Sequence, residues 1–153
     1  VLPSIHELFQ DEQKALVFTQ LLQKGMDVMD ETQDSYSLYA VFMYSYLACQ
    51  NPEFQNTLSS RFDDKTALFM KQELGMHRVE TEILQQALNL VKQLMKNHEP
   101  EKMRSRHREH LLTNRALGLA LMLAEAYHYL TSFEIHQWRQ LLAKADRRAP
   151  KNN

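Results

Sequence analysis

The sequence has few of the residues on which sheet-rich and disulfide-bonded proteins depend. Its 153 residues include three glycines, four prolines and one cysteine. Glycine and proline supply the special backbone angles of tight turns, so these few residues cannot separate the many strands of a sandwich or barrel. With Cys49 alone, no internal disulfide can form. The composition therefore predicts an all-α fold and favours a reducing compartment.

Long apolar runs are also missing from the chain. A membrane-spanning helix needs about 18 to 20 uninterrupted apolar residues, and no segment reaches that length. The richest stretch, residues 116–130, contains Glu125 and His128 and is better interpreted as helix core. Residues 1–7 have neither the basic segment nor the apolar run of a signal peptide. We expect a soluble cytoplasmic protein without membrane contact.

Basic side chains are scarce in the first third of the chain, and acidic side chains are outnumbered in the last third. Residues 1–55 hold eight acidic and two basic side chains, whereas residues 101–153 hold five acidic and ten basic ones. The net charge of −1 therefore conceals a gradient along the sequence. Such a gradient suits head-to-tail contacts between copies or binding to a charged partner.

Apolar periodicity predicts a single-domain bundle of about six helices, two of them long, over residues 1–146. Ser4 and Glu7 have the spacing of a capping box that begins the first helix, although Asp11 is an alternative start for a second helix after a short turn. Thr131 and Glu134 repeat the capping-box spacing and predict the start of the last helix. Residues 147–153 are expected to form a disordered basic tail.

Within the bundle, two segments have distinctive patterns. Residues 36–49 are apolar nearly all round, as expected of a buried central helix. Residues 79–94 carry a regular apolar stripe, and Gly75 before them predicts a kink or helix break near Leu74. Cys49, at the end of the apolar helix and without an adjacent histidine, is expected to be a buried and inert thiol.

Histidines paired with a carboxylate suggest a metal site. Glu125 and His128 form a Glu-x-x-His, the spacing that di-iron bundles project into their core, and His107 and His110 share one helical face. A di-iron site requires two such motifs and two further glutamates, whereas the chain has one motif. The simpler interpretation is that Glu125 is paired at a helix contact, with His128 as the nearest local partner. A metal-dependent helical enzyme that uses Glu125 and His128 is one alternative function.

The densest basic segment suggests a phosphate-binding surface. Its residues, with those of the last helix, would contact a nucleic-acid backbone. This alternative function is a nucleic-acid-binding regulator that uses residues 102–115. The residues proposed for it are Lys102, Arg104, Arg106, Arg108 and Arg115, supported by Arg139, Lys144, Arg147, Arg148 and Lys151.

A helical protein–protein interaction module, a regulator or adaptor without a cofactor, is the leading hypothesis. No phosphate-binding glycine loop or nucleophile motif occurs, and catalysis is therefore not the favoured function. The tyrosines of residues 36–46 and the eight methionines fill cores and also adapt to partner surfaces. We expect a protein partner or self-association through a helix face. A ligand-binding groove along residues 116–130 is a further hypothesis.

Overall fold

The chain folds into helices connected by short turns. The computed structural model describes residues 2–29 and 34–148, and no strand occurs among them. The all-α fold is confirmed, but the number of helices exceeds six because three predicted helices are each divided. The α-helices of the described residues are α1 (Pro3–Phe9), α2 (Glu12–Val28), α3 (Ser35–Gln50), α4 (Phe54–Thr57), α5 (Asp64–Leu68), α6 (Arg78–Lys96), α7 (Ser105–Leu112), α8 (Leu117–Ala126) and α9 (Ser132–Arg148).

The first division lies between α1 and α2. Asp11 caps α2, because its carboxylate accepts hydrogen bonds from the backbone N–H groups of Gln13 and Lys14 at 3.1 and 3.2 Å. The alternative start at Asp11 is therefore confirmed. The capping box at Ser4 is wrong, since α1 begins at Pro3 and both the backbone N–H and the hydroxyl of Ser4 donate to Glu73, at 2.9 and 2.5 Å.

The second division separates α5 from α6. A π-helical turn, Phe69–Glu73, follows α5 directly, and Gly75 then adopts a left-handed conformation with φ +67°. Glycine adopts this conformation without the steric penalty of a side chain, and it commonly ends helices. The break predicted near Leu74 is confirmed. The apolar stripe belongs to α6, whose apolar residues from Ile83 to Leu94 are buried as predicted, while Val79 and Met95 near its ends are exposed.

The third division separates α7 from α8. The turn contains Asn114, whose side-chain oxygen accepts a hydrogen bond from the backbone N–H of Ala116 at 2.9 Å. After α8, the predicted capping box is confirmed: Glu134 accepts from the Thr131 backbone at 2.8 Å, and the Thr131 hydroxyl accepts from the Glu134 backbone at 3.2 Å. Because α9 runs through Arg148, residues 147 and 148 are helical. The rest of the predicted tail, residues 149–153, lies outside the described residues.

The most apolar helix, α8, lies at the centre and packs against α2, α3, α6 and α9. The helix α3 is buried on nearly all sides from Ala40 to Cys49, as its composition predicts, whereas Tyr36 and Leu38 in its first turn are exposed. The helices α1 and α2 pack on each other, and α2 also packs on α3 and α8. The basic α7 and α9 pack on each other, and α9 also packs on α8. In the described residues no helix is both long and apolar enough to cross a membrane.

Candidate functional site: a groove along α8

One strip of α8 lies at the bottom of a surface groove of about 680 Å³. The strip begins just before the helix, at Arg115, and continues through Gly118, Leu119 and Met122. Gly118, Leu119 and Met122 follow Arg115 by three, four and seven residues, a spacing that places residues on one face of a helix. The walls and ends of the groove come from Ile83 of α6, Arg139 of α9, Val28 and Met29 at the end of α2, and Asp34, Tyr36 and Ser37 at the start of α3.

Gly118 leaves the floor of the groove open. A Cβ atom added there would have no atom within 4 Å outside its own helix turn. The neighbouring side chains Ile83, Met122 and Leu119 are aliphatic; the first two are 9 % and 7 % exposed, and Leu119 is half-buried. A ligand can therefore contact the backbone of α8 and an apolar surface at the same time.

Two arginine–glutamate pairs border the groove. Arg139 contacts Glu125 at 2.8 Å and joins α9 to α8. Arg115 lies 4.0 Å from Glu82 of α6, and Glu82 also binds Arg78 at 2.9 Å. Arg139 and Arg115 keep 46 % and 53 % of their side-chain surface exposed. Each arginine contacts its glutamate through one guanidinium nitrogen. The other N–H groups of each guanidinium can therefore donate to a carboxylate or carbonyl of a ligand.

The partner of Glu125 is therefore Arg139, a residue that sequence spacing did not identify. His128 was expected as the local partner, but α8 ends at Ala126 and His128 has a left-handed φ of 61°. The change of backbone direction removes His128 from the helical face of Glu125, although both residues line a neighbouring shallow cleft. An ion pair between helices that are adjacent only in the folded chain thus replaces the local pair.

The structure does not gather the predicted metal ligands at one place. His107 and His110 are exposed on α7, whereas Glu125 and His128 lie at the end of α8. Within residues 2–29 and 34–148, no three histidine, cysteine or acidic side chains form a group that could hold a metal ion. The metal site stays a prediction that rests on these two separate pairs.

The predicted nucleic-acid residues differ in the contacts that they form. Lys102 binds Glu99 at 2.8 Å, Arg108 donates to the backbone oxygen of Pro100 at 3.2 Å, and Arg115 borders the α8 groove. Arg104 and Arg106 are exposed and form no ion pair with another described residue. The binding of these five residues to nucleic acid stays a prediction.

Cys49 is buried, as its sequence context predicts. Its thiol donates a hydrogen bond to the backbone oxygen of Tyr46 at 3.1 Å, and burial raises its pKa to about 11. The reactive thiolate is therefore rare at neutral pH. This thiol is not a candidate nucleophile.

Sequence reasoning suggested a groove along residues 116–130 but did not identify its residues. The available signal was Gly118 inside an apolar helix, with Arg115 and Met122 on the same face. The walls come from helices distant in sequence, and no local pattern indicates them. Comparisons with protein-family models, curated proteins and solved structures find no match to the chain.

Proposed function

We propose that this chain is a non-enzymatic helical interaction module of the cytoplasm, whose α8 groove binds an amphipathic segment of a partner protein. The observation that carries the proposal is the open floor of the groove at Gly118. A glycine in a helix lowers its stability by up to about 1 kcal/mol relative to alanine. The packing around Gly118 does not require this cost, since a Cβ would meet no atom within 4 Å. Close approach of a partner supplies a reason for glycine there.

The dimensions of the groove suit a short peptide segment. Its volume, about 680 Å³, lies within the range of roughly 300–1,000 Å³ that is usual for binding sites. From Arg115 to Met122, the extent of the groove strip, the chain advances by seven residues, which corresponds to about 10 Å along a helix. A partner helix of about two turns, or a short extended segment, can follow this length.

The chemistry of the groove suits a segment with both apolar and polar groups. Ile83, Leu119 and Met122 offer aliphatic contact, and methionine adapts to irregular partner surfaces. The half-exposed arginines at the border offer hydrogen bonds that fix the orientation of the segment. A buried free thiol at Cys49 is compatible with a reducing compartment and thus with the cytoplasm.

A groove-filling substitution tests the proposal. Peptides of about twelve residues would be selected from a random display library on the immobilised protein, and their affinities measured by fluorescence anisotropy. In Gly118→Leu, the new side chain occupies the open floor, and we expect the selected peptides to bind at least about tenfold more weakly, equivalent to about 1.4 kcal/mol. Gln93→Leu adds a leucine at an exposed position of α6 outside the groove and should bind as the wild type does.

The urea unfolding curves of both variants must match that of the wild type or show greater stability. Weaker binding then cannot be attributed to unfolding of the variant. The proposal fails if the library yields no specific peptide. It also fails if the selected peptides bind Gly118→Leu as tightly as they bind Gln93→Leu.

A further inference from the structure

The outer face of α9 carries a line of basic and polar groups. His136, Arg139, Gln140, Lys144 and Arg147 line a shallow second cleft of about 340 Å³, together with a small alanine at position 143. Successive members are one, three or four residues apart, so they follow one side of the helix over about 16 Å. All of them are exposed, and no carboxylate is among the lining residues of this cleft.

The second cleft shares a lining residue with the α8 groove. Arg139 lines both of them, and its side chain is 46 % exposed although it contacts Glu125. A segment bound in the groove can therefore continue along α9 without leaving the protein surface. Arg139 would lie at the junction between the apolar part and the basic part of such a segment's path.

The acidic groups of α9 do not cancel this positive charge. Glu134 accepts hydrogen bonds from the Thr131 backbone and contacts His98, so it is held at the start of the helix. Asp146 is exposed two turns beyond Arg139 and forms no ion pair with another described residue. Against this one free carboxylate, Lys144 and Arg147 keep their charge available to a ligand.

The two surfaces together distinguish between classes of partner. A membrane surface requires a broad apolar helix face, and from residue 136 to residue 147 the outer face of α9 offers only Ala143. Single-stranded nucleic acid binds on rows of aromatic side chains, whereas the groove floor is aliphatic with Tyr36 at its edge. An acidic protein segment fits both parts, because it can offer an apolar anchor and a run of carboxylates.

We infer that the partner segment carries an apolar anchor, which binds in the α8 groove, and an adjacent run of about five acidic residues, which lies along His136, Lys144 and Arg147. This inference rests on the proposed function of the groove. Five extended residues span about 16 Å, which equals the length of the basic cleft. The carboxylates would pair with the lysine and arginine, and the effect would weaken as salt screens the charges.

Matched peptides test the inference. An anchor peptide from the library selection would be extended, at either end, by five glutamates or by five glutamines, and labelled with fluorescein. We expect one glutamate peptide to bind at least about tenfold more tightly than its glutamine twin at low salt. Lys144→Glu/Arg147→Glu should abolish this difference, whereas Lys65→Glu/Lys71→Glu, with the same change in net charge at exposed positions elsewhere, should preserve it.

The outcomes separate this inference from the proposed function. If Gly118→Leu weakens both peptides but glutamate gives no advantage, the groove stands and the acidic partner is overturned. The inference also falls if the Lys65→Glu/Lys71→Glu control removes the advantage as fully as the α9 variant does. An unlabelled twelve-residue thymidine oligonucleotide that displaces the glutamate peptide at lower concentration than hexaglutamate would assign the α9 face to nucleic acid instead. Equal binding of all peptides to Gly118→Leu and wild type would overturn both proposals.

Discussion

Gly25 and Gly118 differ completely in their surroundings. At Gly25, an added Cβ would lie 2.3 Å from Cγ1 of Val41 and 2.7 Å from the hydroxyl of Tyr127. At Gly118, it would meet nothing within 4 Å. The first glycine is required because α2 and α3 approach too closely for any side chain. The second is exposed and is not required by the packing of the helices.

The tightly packed surroundings of Gly25, the closed side of the bundle, are further stabilised by hydrogen bonds from tyrosine hydroxyls. Tyr129 donates to the backbone oxygen of Gln55 at 2.6 Å, so the 2.7 Å contact between Tyr44 and Tyr129 has Tyr44 as the donor. Tyr127 stacks on Tyr44 with ring centroids 3.7 Å apart, and its hydroxyl donates to the backbone oxygen of Leu21 at 2.9 Å. Burial raises the pKa of Tyr127 to about 12 and raises that of Tyr44 as well. These rings therefore remain neutral hydrogen-bond donors at physiological pH.

The largest expected effect comes from filling the closed side. Gly25→Ala places a methyl group inside the contact between α2, Val41 and Tyr127, and we expect it to lower the free energy of unfolding by roughly 2 kcal/mol or more. Urea unfolding followed by circular dichroism measures this change. Gly118→Ala, which adds the same methyl group on the open side, is the matched control. Equal stability of the two variants would contradict the contrast between the sides.

A smaller effect is expected from breaking the tyrosine chain at its middle. Tyr129→Phe removes the acceptor of the buried Tyr44 hydroxyl, and an unsatisfied buried donor costs about 1–3 kcal/mol. Tyr44→Phe leaves Tyr129 bound to Gln55, so its cost should be nearer the 0.5–1.5 kcal/mol of an ordinary hydrogen bond, as a rough guide. Urea unfolding of both variants ranks them. The reverse order would contradict Tyr44 as the donor of this hydrogen bond.

The surroundings of Gly118, the open side of the bundle, should tolerate and even favour a side chain. We expect Gly118→Ala to raise the free energy of unfolding by about 0.5 kcal/mol, because alanine is the better helix former and no clash opposes it. The measurement is the same urea titration, with Gly75→Ala as a comparison in which the left-handed φ of +67° makes alanine unfavourable. A loss of stability in Gly118→Ala would mean that the groove floor is closed in solution.

The smallest effect concerns the start of α9, the helix that forms one wall of the groove. The Thr131 backbone N–H, with a smaller contribution from His98, lowers the pKa of Glu134 below its usual value of 4.5. A lowered pKa stabilises the fold above that value, and the contribution is lost as the pH falls through the folded pKa. Glu134→Gln should therefore be less stable than wild type at about pH 6, and the difference should shrink by about pH 3. Glu109→Gln on α7 is the exposed control, and a constant difference between wild type and Glu134→Gln at both pH values would contradict the assignment.

Local patterns predicted those features that depend on neighbouring residues. The stripe of α6, the break at Gly75 and the Thr131–Glu134 capping box depend on contacts within a few residues, and all three are found. The Ser4–Glu7 pattern has the same spacing but fails, because Pro3 begins the helix earlier and Glu73 binds Ser4 from 69 residues away. A local motif is thus decisive only when no distant group competes for the same donors.

The sequence by itself determined the helical class, the burial of α3 and the charge gradient, because these follow from composition and periodicity. Only the tertiary structure decided that Glu125 pairs with Arg139, that Gly25 is packed tightly, and that Gly118 is open. It also placed Arg139 at the junction of two clefts. Helix periodicity states which residues share a face, but the neighbour of each face depends on how the helices pack. The groove is formed by five helices whose mutual positions no local pattern encodes.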